Sequence, residues 1–262
     1  MDLRLQGLCV LVTGGSKGIG FACAQAFAAE GARVAIASRS AAHLADAQAR
    51  LQAAGISVVT VAANLSRADE ADAMVAAVER ELGPIDVLVN CAGAALRTPA
   101  DELTAAHWHA AMDAKYFPTI HAMGAVLPGM AGRGRGSVVN VVGMGGKVAA
   151  PTHLPGGAAN AALMLASAGL ANAHARRGVR VNAVNPGMVL TERLQQGLEA
   201  EARLVGTTVE AVRAQHVARL PRGRIAEPAE IADVVVFVAS DRARHLNGAV
   251  ISLDCAATPM VV

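Results

Sequence analysis

Short runs rich in Val, Ile and Leu recur near residues 8–13, 33–38, 56–61, 85–90, 137–142, 179–184 and 249–253, and longer alanine-rich stretches of mixed polarity separate them. Runs of that length, apolar throughout, read as strands buried on both faces, and the separators are long enough for helices. Gly31, Gly55, Gly83-Pro84 and Gly178 fall where a helix would end and the next strand begin, the positions that favour a left-handed cap or a helix stop. Strict alternation of strand and helix predicts an α/β fold, a doubly wound parallel sheet of about seven strands with helices on both faces. At 262 residues without a recognisable linker, the expectation is one domain spanning 1–262. The stretch from Leu190 to Arg224 lacks strand character. An insertion after a strand end at that place reads as a substrate lid.

Thr13-Gly14-Gly15-Ser16-Lys17-Gly18-Ile19-Gly20 follows the first apolar run and opens a helical stretch. Gly14 permits a tight turn, Gly18 lets backbone approach a pyrophosphate, and Gly20 lets the helix pack closely on the sheet, while the helix N-terminus offers free N–H groups to phosphate. A strand, glycine loop, helix and second strand in that order make the domain Rossmann-like and dinucleotide-binding.

Composition narrows the partners. The net charge is +2 with scattered basic residues, which points to small-molecule substrates and copies of the chain itself, not to nucleic acid or a membrane. Cys9, Cys23, Cys91 and Cys255 show no metal spacing, so no metal is expected and the thiols read as reduced. Asp2 and Arg4 are followed at once by the first strand, which gives an expectation of a cytoplasmic protein. Residues 148–175 carry no Lys, Arg, Asp or Glu, yet Pro151, Pro155, Gly156, Gly157, Asn160 and Asn172 interrupt them. The apolar helical part reads as too short to span a bilayer and as a buried or interface helix. The arginines of the insertion, Arg193 among them, read as solvated helix faces.

With these motifs in order, and with Asn90-Cys91-Ala92-Gly93, Val181 to Gly187 followed by Thr191, and the late Ser252-Leu253-Asp254 segment, the chain resembles the short-chain dehydrogenase/reductase family over nearly its whole length. The resemblance implies a nicotinamide cofactor held by Gly14, Ser16, Lys17, Gly18, Ile19 and Gly20. Asn64 and Leu65 would lie at the adenine, Asn90, Ala92, Gly93 and Asn160 at the ribose, and Pro186, Gly187, Val189 and Thr191 at the carboxamide. The second strand ends Ser38-Arg39 with no carboxylate, so Arg39 and Lys17 favour NADP(H) over NAD(H) through a 2′-phosphate. Residues 104–130 and 158–176 stand where the family forms its oligomer interface, which implies a homo-oligomer, dimer or tetramer, or assembly with an active relative.

The family's Asn-Ser-Tyr-Lys tetrad is missing. Its positions carry Lys115, Gly143, Gly156 and Asn160, and Tyr116, the only tyrosine, is followed four residues later by Ile120. Lys and Asn have changed places between positions 160 and 115, so an ammonium would enter the same pocket from the opposite wall. Pro118, lacking an N–H, would kink the helix beside Lys115. His153 is the nearest conventional acid/base to the vacated tyrosine position. Lys115, His153 and Asn160 are therefore the candidate catalytic residues. Three functions are compatible: an NADP(H)-dependent oxidoreductase of a carbonyl or alcohol with a non-standard proton relay, a catalytically inactive nucleotide-binding subunit, and a non-redox enzyme on this fold.

Overall fold

A computed structural model describes residues 1–93 and 95–260. Its seven strands are β1 (Cys9–Thr13), β2 (Arg33–Ser38), β3 (Val58–Ala62), β4 (Val87–Asn90), β5 (Gly136–Val141), β6 (Val179–Pro186) and β7 (Val250–Leu253). All neighbours run parallel, in the order β3-β2-β1-β4-β5-β6-β7. The chain reverses its winding between β1 and β4, the crevice where ligands of open parallel sheets bind.

Each strand feeds two cores. Along β1, Val10 and Val12 enter a cluster with helices α1 (Gly18–Ala29), α2 (Ala41–Ala53) and α9 (Pro228–Ala239). Cys9 and Leu11 face the opposite cluster, built with α3 (Ala68–Leu82), α5 (Phe117–Arg133) and α6 (Leu154–Ala175). Residues alternate across a strand, so burial on both faces demands the uninterrupted apolar runs seen in the sequence. Each such Val or Leu contributes about 1.5–3 kcal/mol.

Three local features place the site. First, α6 runs unbroken for 22 residues, longer than the sequence reading allowed. Pro155 lies in its first turn, where a missing N–H costs nothing, and its most apolar stretch, long enough to cross a membrane by length and composition, is half buried in the fold. Second, between α4 (Ala105–Ala111) and α5 the chain makes a π-helical turn, Met112–Tyr116. Pro118 withholds the N–H that Ala114 O would accept, and the helix widens there rather than simply bending. Third, the insertion after β6 forms α7 (Glu192–Val205) and α8 (Val209–Ala218), packed through Leu198, Ala202 and Val212. Its neck is pinned by Leu190 N–H to Ala226 O at 2.8 Å and Ala226 N–H to Met188 O at 3.2 Å.

Candidate active site

At the carboxyl end of β1, Gly14 has φ +66°, and a Cβ there would lie 2.7 Å from Ala92 N. A Cβ on Gly20 would lie 2.3 Å from Gly14 O. The turn, the loop after β4 and the start of α1 thus touch backbone to backbone, which only glycine allows. Lys17 occupies the N-cap of α1 without a side-chain cap, and the first turn holds no acidic residue. The orphan N–H groups and the positive end of the dipole therefore remain for an anion. Ser16 is buried, Ile19 packs on the core behind the loop, and the methyl of Thr191 sits over Gly18, 3.1 Å from where a Cβ would be. This cradle fits a dinucleotide pyrophosphate.

The remaining cofactor candidates have more specific placements. The side chain of Asn90 lies inside a buried chain: Thr13 Oγ1 donates to Asn90 Oδ1 (3.1 Å), Asn90 Nδ2 to Asn140 Oδ1 (2.8 Å), and Asn140 Nδ2 to Ser167 Oγ (2.9 Å). Asn90 thus ties β1, β4, β5 and α6 together. Asn64 Oδ1 accepts from Ser66 Oγ at 2.9 Å and Ser66 N at 3.3 Å, which shapes the loop after β3, and Leu65 is buried beside it. Gly187 N–H bonds Leu253 O at 3.1 Å, holding the turn after Pro186 on β7. Val189 is buried at the neck of the insertion, and Thr191 Oγ1 caps α7 by accepting from Leu194 N–H at 3.2 Å. Ser38 and Arg39 end β2, with Arg39 exposed. Lys17 Nζ meets Glu192 Oε2 at 2.8 Å on the surface, a partner the sequence did not announce and one that a surface ammonium exchanges readily.

Across the crevice lie Lys115, Gly143, His153, Gly156 and Asn160. Lys115 Nζ donates to Asn160 Oδ1 at 3.0 Å, so the two exchanged residues meet. An ammonium has only hydrogens to offer, which fixes Oδ1 towards Lys115. Asn160 Nδ2 then points to the empty side of Gly143, 3.2 Å from where its Cβ would be. His153 takes the space at Gly156: a Cβ there would fall 2.3 Å from ring carbon Cε1 and 2.6 Å from Nε2. Lys147, close by in sequence, turns away to Ser252 Oγ at 3.0 Å.

These groups carry perturbed charge. Burial pushes the Lys115 ammonium down to about 8, and the Arg193 charge adds to the shift. His153 is held at about 4, first by burial and then by Lys115, Arg97 and Arg193. Its Nδ1 is buried without a hydrogen-bond partner. At neutral pH the imidazole is therefore uncharged, and the ammonium is mostly protonated but much closer to its midpoint than an ordinary lysine.

Two contributors escaped the sequence reading. Arg193, set aside there as a solvated arginine, reaches back to Ala95 O at 2.7 Å. Arg97 lies on the segment that Thr98 N–H bonds to Thr152 O at 2.9 Å, next to His153. The position of Arg193 two residues beyond Thr191 was the available signal.

Comparison with known proteins agrees with this geometry. A profile described as short chain dehydrogenase matches residues 8–202. The chain is 34% identical over 254 residues to 2-(S)-hydroxypropyl-CoM dehydrogenase 3 of Xanthobacter autotrophicus, covering 97% of this chain and 98% of that protein. It is 32% identical to gluconate 5-dehydrogenase of Gluconobacter oxydans, covering 95% and 94%. The structure of L-sorbose reductase from Gluconobacter frateurii, solved with NADPH and L-sorbose, superposes with a TM-score of 0.93 at 27% identity over 100% of both chains. Fold, glycine loop and matched sequence together make this chain a member of the short-chain dehydrogenase family.

Proposed function

We propose that the chain is an NADP(H)-dependent oxidoreductase of a ketone or secondary alcohol in which Lys115 replaces tyrosine as the acid/base. The observation that carries this reading is the 3.0 Å contact between Lys115 Nζ and Asn160 Oδ1, beside the open face of Gly143. The nicotinamide, when bound, supplies or accepts the hydride. The protein's part is the proton and the charge on oxygen. In reduction the Lys115 ammonium protonates the carbonyl oxygen, and in oxidation the neutral amine takes the hydroxyl proton. A group with a pKa of about 8 is matched to both near neutrality. Asn160 holds the ammonium through Oδ1 and offers Nδ2 where the family places serine, a hydrogen-bond donor for developing negative charge. His153, neutral, offers a ring nitrogen and excludes water at Gly156.

Preference for NADP(H) is supported by Arg39, exposed at the end of β2 with no carboxylate beside it, and by Lys17, whose surface pair with Glu192 can be exchanged for a phosphate. That the reductase of G. frateurii was solved with NADPH supports the same choice. The dehydrogenase and reductase relatives favour redox chemistry over a non-redox or purely structural role. Assembly through α4–α5 and α6 is part of the proposal, with Leu165 of α6, 77% exposed, on the face to be covered.

The test is NADPH oxidation over a panel of ketones. Lys115→Met is expected to lower kcat by about 10²–10⁴. Wild-type reduction should fall as pH rises through about 8, because the protonated form is consumed, while alcohol oxidation should rise over the same range. Turnover unchanged in Lys115→Met overturns the assignment.

A further inference from the structure

Gly93 and residues 95–98 lie beside the basic groups of the site. Gly93 packs on Lys115, whose Cγ would be 3.3 Å from a glycine Cβ. Ala95 O accepts from Arg193 at 2.7 Å, Leu96 lies 82% exposed, and Arg97 precedes Thr98, which is bonded to Thr152 next to His153. The charges of Lys115, Arg193 and Arg97 all act on His153, so three cationic side chains surround one half-buried imidazole. Among the described residues, none of the ion pairs uses Lys115, Arg193 or Arg97. The charges that act on Lys115, His153 and Arg193 are all positive. Like charges gathered in a half-buried cleft repel, and each lowers the proton affinity of the next. No carboxylate is among the groups that shift Lys115, His153 or Arg193.

We infer that the substrate is an anion: a keto or hydroxy acid whose carboxylate, or an equivalent sulfonate or phosphate, is held by Arg193 and Arg97 while its carbonyl oxygen reaches Lys115. Arg193 is suited to this by its guanidinium fork, which binds a carboxylate with two parallel N–H···O bonds. Leu96, exposed at the rim, covers the carbon chain of the substrate. The insertion is then more than a cover, since it carries the residue that selects by charge.

This inference rests on the assignment of Lys115 as the acid/base, and binding separates the two. Titration calorimetry would use 2-, 3- and 4-oxopentanoate, each against its methyl ester, on the chain alone and with NADP⁺, where no hydride can be delivered to the ketone. At least one acid is expected to bind about tenfold or more tighter than its ester, in line with a charge-assisted pair. That ratio should collapse towards one in Arg193→Gln/Arg97→Gln, with the fold checked by circular dichroism. It should also shrink as sodium chloride is raised. Equal binding of acids and esters in every pair, no acid binding at all, or a ratio unchanged in the double variant each overturns the inference. Failure of NADP⁺ to bind, or turnover that survives Lys115→Met, strikes the parent assignment and leaves the acid-to-ester ratio to be judged alone.

Discussion

The two halves of the crevice differ in how they do their work. On the side of β1 and β4, the glycine loop acts through backbone: a Cβ at Gly14 or Gly20 would strike the main chain of Ala92 or Gly14 itself, and no other residue type can take over. On the side of β5 and α6, the family's chemistry resides in side-chain tips. Here an ammonium arrives from the π-helical turn at Met112–Tyr116 and an imidazole lies over Gly156. A flexible side chain can deliver the same atom from a different wall, whereas a backbone turn has no substitute.

Substitutions that probe each side sharpen the contrast. Gly20→Ala, whose new methyl would lie 2.3 Å from Gly14 O, should weaken NADPH binding about 10- to 100-fold and cost about 1–3 kcal/mol of stability. Fluorescence titration and thermal unfolding would show both, and an unaffected affinity would mean that the loop has more slack than its contacts allow. On the other side, Gly156→Tyr alone should destabilise by about 1–3 kcal/mol, because the ring of His153 holds the space. Adding His153→Ala should recover most of that loss, and a double variant no more stable than the single would show that His153 is not what fills the site. The smallest effect is expected at the rim: Arg39→Ala should raise the Kd for NADPH about tenfold by removing a charge-assisted contact to phosphate, with the Kd for NADH unchanged. Equal loss for both cofactors would place Arg39 outside phosphate recognition.

The sequence carried the backbone half almost completely. Apolar runs marked every strand to within a few residues, and glycine spacing marked the loop, because both are written in local pattern. The other half was only partly legible. The exchange of Lys and Asn between positions 115 and 160 was visible as a pair of departures, and the structure brings the two side chains to 3.0 Å. The route of His153 into the space at Gly156 was hidden, since a missing Cβ says nothing about which neighbour fills it. Arg193 and Arg97 were hidden for a different reason. Exposed arginines are common on helices and loops, and only the fold brings the charges of these two to bear on His153. The pairing of Lys17 with Glu192, across 175 positions, had no local signature at all.

The central claim, that Lys115 stands in the pocket as a poised acid/base, is open to direct measurement without a substrate. The chain has only three lysines, Lys17, Lys115 and Lys147, so ¹³C-labelled lysine gives a sparse NMR spectrum in which the signal lost in Lys115→Met identifies itself. This Cε resonance is expected to titrate with a midpoint of about 8. A midpoint at the ordinary lysine value, about 10.4, would mean a solvated ammonium outside the pocket and would contradict the account.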